Sequence, residues 1–563
     1  MAAHVPVAPG FPQMVPSGSR YQSGPEEVLL RNVEACTELA RSLRATFGPA
    51  GLRKLVVGDS PRGLLSGSVA TVLRELRVEQ PAARLLAEAV QAQAEAVGDG
   101  RATVLLLGGS LLEQAGAALQ SGLPVAELSG GLRQAADRAL QLLDGLCCGE
   151  LEAEADTGRV ERVLRVAVGA KLGSEVGPVS QLLAEACVAV QQVLDHGWEL
   201  DPERVRVCRV PGGGLSDSRL VRGLVMCLGS GDKAEAEAGG LVHALGQVRV
   251  AVYDCAFEPA RPQLAATALA RGPNELHVLS SSEQRATEAL VVQLEKAGVQ
   301  LVVVGSRLNS VAQHCAERRG LLSLRLRSRR LLATVARAVH ARPLLYPRAP
   351  QADELGHLQR VGFSEEGGWL LVTLEPEEEE GGTVHRTILL RGSTPGLLDT
   401  AEQAVHDGLC TYQLLGRDGR LVPGAGATEL ALAVRLAAEA EACAGLERYA
   451  FSALAHALES VAGALVWNAG GKEPQAVARL RVLHQCGRAS LGFDLEAGGE
   501  EALDVVQAGI CESLLLKRSA LRLATQAALA ILGVDQVFLA KKSGGPKPRP
   551  ENPNWDLPPD HID

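Results

Sequence analysis

Apolar residues near the start of the chain recur at alternating steps of four and three. Leu29, Val33, Cys36, Ala40, Leu43 and Phe47 share one face of a helix predicted over 26–47. Pro25 and two glutamates open it, and Gly48-Pro49 closes it. After Gly51 the pattern shortens to strand-type stretches at 55–57 and 64–65, then returns to Ala/Leu-rich helical segments over roughly 69–78, 82–97 and 101–119. From about Arg204 the period changes. Val205, Val207 and Val210 read as a strand, and Val248, Val250 and Val252 alternate. A helical run over 283–297 ends at Gly298 ahead of a strand at 301–304, and a helix at 311–318 leads into 321–326. Helix and strand alternate here, so the middle of the chain is predicted to be α/β. Residues 369–374 and 383–390, flanking an acidic run at 375–380, read as a long hairpin with a solvated loop. Ala/Leu helices return at 397–409, 427–444, 449–467, 476–485 and 513–532. The two ends match in composition and differ from the middle, which predicts one helical domain drawn from both termini with an α/β segment inserted. The Gly/Pro-rich stretch from Lys541 is predicted to be a disordered tail.

Composition narrows the function classes. The chain has 563 residues, 46% hydrophobic and 3% aromatic, so its cores must be built mainly from Ala, Leu and Val. With 56 basic against 66 acidic side chains, a net charge of −10 disfavours binding to DNA, RNA or anionic lipid. The 12 cysteines form no CxxC pair and no zinc-type spacing, which predicts a reduced, cytoplasmic protein. The N-terminus lacks a secretory pattern, and no charge-free apolar run approaches a membrane span, so neither secretion nor a membrane partner is expected.

Three glycine-bearing turns meet helix ends: Thr46 to Gly51, Gly98-Asp99-Gly100-Arg101, and Val422 to Glu429 around Gly424, Ala425 and Gly426. The second and third lead into helix N-termini, where free N–H groups and the helix dipole attract anions. Each alone is usually just a turn, and neither GxxxxGK[ST] nor GxGxxG before a helix is present. Asp99 suits Mg²⁺ beside a phosphate or a plain N-cap. Asp407, read at the end of its helix, suits a base on an attacking water or a surface carboxylate. In the middle segment His314 and Cys315 are the nearest approach to a base and nucleophile, but helix neighbours point apart, so a structural role is expected there.

Read in order, ATFGPAGLRK (45–54), GDGRAT (98–103), RGSTPGLLDTAEQAVHD (391–407) and LVPGAGATE (421–429), followed by Gly492-Phe493-Asp494 and Val534-Asp535, resemble the group II chaperonins, specifically the eukaryotic cytosolic TRiC/CCT type. His4 to Met14 and the tail around Gly544 to Pro548 are similar to the theta branch or a theta-like paralogue. The resemblance implies an α/β multidomain chaperonin fold. Its helical equatorial domain would use 1–145 and 409–540, its α/β intermediate domain 146–212 and 367–408, and its α/β apical domain 213–366, with 541–563 as tail. It further implies ATP and Mg²⁺ as cofactors. Its implied partners are other subunits in a double eight-membered ring and non-native clients such as actin and tubulin. Phe47, Gly48, Pro49, Asp99, Gly100, Arg101, Ala102, Gly424, Ala425 and Gly426 would wrap the nucleotide, with Asp494, Glu512 and Lys517 near its base and ribose. Lys171 would approach the terminal phosphate, Asp99 would hold Mg²⁺, and Asp407 would orient the attacking water. In the apical segment Leu264, Leu269, Leu276, Val278 and Leu279 fit client contact and helix packing equally well.

The departures from that pattern bear on activity. The family's aspartate in an NDAATI-like loop falls here on Ser68, so one carboxylate of the water-activating pair is missing. Arg101 and Ala102 replace hydroxyl residues after GDG, Ala425 replaces a glycine, and Thr400 and Gln403 replace charged residues of the hinge helix. Arginine in a first helical turn has the wrong sign for the dipole unless an anion sits there, so Arg101 either grips phosphate or points to solvent. These features predict retained nucleotide binding with slow or absent hydrolysis, and as the alternative a non-hydrolysing structural or regulatory paralogue.

Overall fold

The structure is a computed structural model that describes residues 20–22, 25–57, 63–152, 156–194, 197–228, 244–258, 273–377 and 384–539. The opening third folds into helices α1 (Pro25–Leu43), α2 (Val69–Glu75), α3 (Pro81–Ala96), α4 (Arg101–Gln120) and α5 (Val125–Asp144). Then come α6 (Thr157–Leu172) and α7 (Val176–Val190), and, among strands, α8 (Pro273–Lys296), α9 (Ser310–Arg318) and α10 (Arg329–Ala338). Helix α11 (Pro395–Arg417) returns the chain to α12 (Ala427–Ala442), α13 (Glu447–Asn468), α14 (Glu473–Gln485) and α15 (Leu514–Leu532).

Both chain ends build the first body. One core joins Cys36 of α1, Leu86 of α3, Leu105 and Leu112 of α4 and Leu132 of α5 to Leu436 of α12, Leu454 of α13 and Ala524 of α15. Helix α4 runs through its centre and is buried on every side from Thr103 to Leu112, where a buried stretch reads as a mostly apolar run with no polar face. Glycines let its neighbours approach: a Cβ on Gly109 would lie 2.3 Å from the Cβ of Ala40, and one on Gly116 2.9 Å from a methyl of Val33. Among the described residues α4 and α13 are long and apolar enough to cross a membrane, but 67% of each apolar window is buried inside the protein. An antiparallel pairing of Arg20–Gln22 with Val537–Leu539 sets the two ends side by side.

The second body packs α6, α7 and α11 on a three-stranded sheet. Its central strand, Arg386–Gly392, runs parallel to Val205–Pro211 and antiparallel to Arg219–Arg222. Leu164, Val168, Leu183, Ile388, Ala404 and Val405 form its core. The third body is a six-stranded sheet in the order Leu322–Arg325, Leu301–Val304, Ala244–Tyr253, Gly356–Glu366, Trp369–Pro376, Leu224–Leu228. Alternation splits its two faces: Val250 and Val252 pack toward α10, and Ala251 and Tyr253 toward α8 and α9.

Two sequence expectations are corrected. The stretches at 369–374 and 383–390 do not form a hairpin. Trp369–Pro376 pairs with Gly356–Glu366 and Leu224–Leu228, while Arg386–Gly392 lies in the other sheet. Glu375 and Pro376 of the acidic run end the strand Trp369–Pro376, and 378–380 lie outside the described residues; a strand pattern does not choose its partner. Asp407 is not at a helix end: α11 continues to Arg417. Gly408 is a packing position within it, where a Cβ would meet Leu183 Cδ2 at 2.3 Å. Helices α5, α6, α7 and α10 were not individually anticipated. The tail, the N-terminal theta-like residues, Leu264 and Leu269 lie outside the described residues, as do the side chains of Leu276, Val278 and Leu279.

The close α1–α4 crossing makes a direct prediction. Gly109→Ala should force the helices apart and cost about 1–3 kcal/mol, seen as a lower thermal midpoint by circular dichroism. An unchanged midpoint would show that this contact has slack.

Candidate functional site

The turn before α4 has its shape because Gly98 and Gly100 take left-handed conformations, φ 84° and 77°. Gly98 is required twice over, since a Cβ there would lie 2.4 Å from the Cβ of Cys410; α11 rests directly on this turn. Asp99 Oδ1 accepts the Gly100 N–H at 2.7 Å, and the Asp99 carbonyl accepts Gln93 Nε2 at 2.9 Å. Gln93 Oε1 in turn accepts from Ser519 Oγ at 2.7 Å, so α15 of the closing third braces a turn of the opening third. Ala102 lies in the uncapped first turn of α4.

Arg101 begins α4 and is buried. Its Nη2 donates to Asp407 Oδ2, the same oxygen receives Lys171 Nζ, and Gln403 Nε2 donates to Oδ1 at 2.8 Å. Asp407 itself is fully buried. Its carboxylate is the anion that makes an arginine tolerable at a helix N-terminus. The solvent-pointing alternative for Arg101 is therefore excluded. Burial pushes Lys171 down to about 7, with Arg101 adding to the shift and Asp99 and Cys410 opposing it. Burial likewise lowers Arg101, against the pull of Asp99 and Cys410.

The loop before α12 forms the facing wall. Gly426, φ 80°, caps the helix against the Phe493 ring. Gly424 donates its N–H to Ile510 O at 2.9 Å, and Ala425 holds φ 49°, a left-handed conformation that glycine would adopt without strain. Lys517 Nζ bonds Glu429 Oε1 at 2.6 Å and Glu512 Oε2 at 2.8 Å. Burial alone would lower Lys517, but the two carboxylates outweigh it and hold it up. Glu512 is raised by burial and by Glu429 and Asp99, against Lys517. Thr103 of α4 and Thr428 and Glu429 of α12 line one small cavity with Lys517, which brings the N-terminal turns of the two helices together. Glu429 Oε2 is buried without a partner, beside a water-sized cavity lined by Thr103, Thr428 and Lys517.

The remaining candidates are held by local contacts of their own. Phe47, Gly48 and Pro49 form a turn fixed by Asn468 Nδ2, which donates to Phe47 O at 2.7 Å; the end of α6, two residues past Lys171, reaches Pro49. Ser68 is the N-cap of α2, buried, with an Oγ that makes no hydrogen bond. Asp494 Oδ1 accepts the N–H groups of Glu496 and Ala497 at 3.1 and 3.2 Å and so shapes its own turn. Gln93, Gln403 and Glu429 carry contacts here that sequence reasoning did not assign to the site. A buried mid-helix glutamine leaves no signature in a periodicity.

The first turns of α4 and α12, from opposite ends of the chain, thus meet at one small cavity, with α11 of the second body resting on the glycine turn before α4. The TCP-1/cpn60 chaperonin family matches residues 39–542. The chain belongs to this family. T-complex protein 1 subunit theta of Gallus gallus is 37% identical over 556 residues, covering 99% of each chain. The Homo sapiens theta subunit is 37% identical over 557 residues with the same coverage, and that of Caenorhabditis elegans 32% over 550 residues, 98% of each. The resemblance to theta-type chaperonin subunits and the multidomain α/β chaperonin fold are borne out.

For this chaperonin chain, Ala425→Gly should relieve left-handed strain and raise the thermal midpoint slightly, by the equivalent of a few tenths to about 1 kcal/mol. A drop in the midpoint would show that the Ala425 methyl contributes packing that exceeds the strain.

Proposed function

We propose that this chain is a theta-type subunit of a cytosolic ring chaperonin that binds MgATP in the cleft between its two ends and hydrolyses it weakly. The first body serves as equatorial domain (1–145 and 409–540), the second as intermediate domain (146–212 and 367–408) and the third as apical domain (213–366). The observation that carries the reading is the convergence of the Asp99 turn and the Gly424–Gly426 loop on one cleft beneath Asp407. Asp99 suits Mg²⁺: one carboxylate oxygen is held by Gly100, and the other has no protein partner among the described residues. Phe47 to Pro49, Gly100 to Ala102 and Gly424 to Gly426 supply backbone at the cleft, while Lys171, Asp494, Glu512 and Lys517 supply polar groups around it. Bound MgATP supplies the phosphoanhydride whose cleavage would power lid closure over non-native clients such as actin and tubulin, in a double eight-membered ring.

Weak hydrolysis follows from two side chains. Ser68 can hydrogen-bond a water but cannot take its proton at neutral pH, and losing a positioned base costs roughly 10² to 10⁴-fold in rate. Asp407, the remaining carboxylate, is engaged by Arg101 and Lys171. That engagement also supports a second reading, a paralogue that occupies a ring position or acts alone without turnover.

Turnover and native mass test both. Ser68→Asp should raise steady-state ATP hydrolysis at least tenfold; wild-type turnover as fast as that of neighbouring subunits would sink the weakened-site reading. A native mass of about one megadalton supports ring assembly, and a lone 59.0 kDa species the second reading.

A further inference from the structure

We propose that Arg101 is a latch: with no polyanion in the cleft it pins α11 to the turn before α4, and a nucleotide's terminal phosphate opens it by drawing Arg101 and Lys171 off Asp407. The proposal deepens the nucleotide reading above and rests on it for the opening step.

The latch crosses two bodies. Lys171 on α6 and Asp407 on α11 both belong to the second body, so their pair is internal to it. Arg101 starts α4, the central helix of the first body, and its bond to Asp407 joins the two. The pair is sequestered: the Arg101 side chain is 9% exposed and that of Asp407 1%. Charges so placed interact more strongly than exposed ones and are costly to separate without replacement partners. Apolar contact at the same seam comes from a cluster of Val97, Leu414 and Leu516 with Leu515 against it, and from Leu421 and Cys511, which join Leu409 and Leu415 of α11 in the second core. The ion pair adds a buried polar tie to that packing at the N-terminus of α4.

The charge count supplies the trigger. Two cations share one oxygen of one carboxylate, and the Asp99 carboxylate acts on both from further off. His406 Nδ1 lies 3.8 Å from the other side of Asp407, and Cys410 completes the surroundings. A guanidinium and an ammonium converging on one anion will exchange it for a phosphate, which offers more acceptor oxygens and more charge. Asp407 is then a stand-in for that phosphate, and its displacement frees the carboxylate and the helix bearing it. A threonine or serine at position 101 has no side chain able to make this crossing.

Hydrogen exchange on the full-length chain tests the latch. In nucleotide-free protein, Arg101→Thr should speed amide exchange at least tenfold across 403–411 and 98–101, with Arg101→Lys retaining part of the protection. Adding MgATP to wild type should produce the same deprotection, and adding it to Arg101→Thr little more. Arg101→Met, which keeps the side-chain volume, serves the same comparison if the threonine variant fails to fold. Unchanged exchange in the nucleotide-free variants overturns the latch. Wild type that binds MgATP by calorimetry yet stays protected overturns the opening step. Wild type that binds no MgATP overturns the nucleotide reading, while the nucleotide-free comparison still decides whether Arg101 holds the helix.

Discussion

A carboxylate removed from water must be matched by cations or it will not stay ionised, and Asp407, with no solvent exposure, is matched by two. Much of the surrounding structure follows from that requirement. Helix α11 has to approach the turn before α4 closely enough for Arg101 to reach it, so Gly98 sits against Cys410 where no larger residue fits. Helix α6 has to run alongside α11 so that Lys171 arrives from the other direction, and the Val168 and Val405 packing in the second core provides that alignment. Gln403, one turn before Asp407, satisfies the second oxygen. The cost of an arginine at a helix N-terminus disappears because its counter-ion comes from another body.

Chain order explains why such a contact is available. The chain completes half of the first body, leaves to build the second and third, and comes back through a single helix. Helix α11 therefore contributes Leu398 and Leu409 to the second core and Leu414 to the seam against Val97 and Leu516. A rigid helix anchored in one body and tipped against another transmits small changes at its tip into rotation of what it carries. Gly408 facing Leu183 within α11 keeps the α7 side tightly packed, as Gly98 against Cys410 does on the side of the turn before α4.

Helix periodicity was legible wherever one face is buried: α1, α3, α4 and α13 lie within a few residues of their expected limits because 3.6-residue spacing is local information. Pairing partners were not. Residues 369–374 and 383–390 both read as strands, yet the strands Trp369–Pro376 and Arg386–Gly392 belong to different sheets, and nothing nearby in sequence says so. Glycine was ambiguous for the same reason. Gly100 and Gly426 were readable as turn residues at helix starts, whereas the packing role of Gly408 was not, since Leu183, the residue that explains it, is distant in sequence. The candidate residues were visible through motif order. The Arg101–Asp407 bond was not, since 306 positions separate its ends and a local argument about the helix dipole stops at the need for some anion.

The cleft is also electrically lopsided, and this bears on how it would seat the proposed ligand. At one end Arg101 and Lys171 share Asp407, leaving positive charge in excess. At the other Lys517 serves both Glu429 and Glu512, with one Glu429 oxygen buried and unpartnered, and Asp99 adds negative charge between. Opposite imbalances in one low-dielectric space form a field with a fixed direction. A ligand with an anionic tail is drawn tail-first toward Arg101 and Lys171, and a cation bridging that tail is favoured beside Asp99. Burial raises Glu512, with Glu429 and Asp99 adding to the shift and Lys517 opposing it. Orientation is then set by charge distribution before any shape-specific contact forms, and the arginine that departs from the family pattern enlarges the positive end of that field.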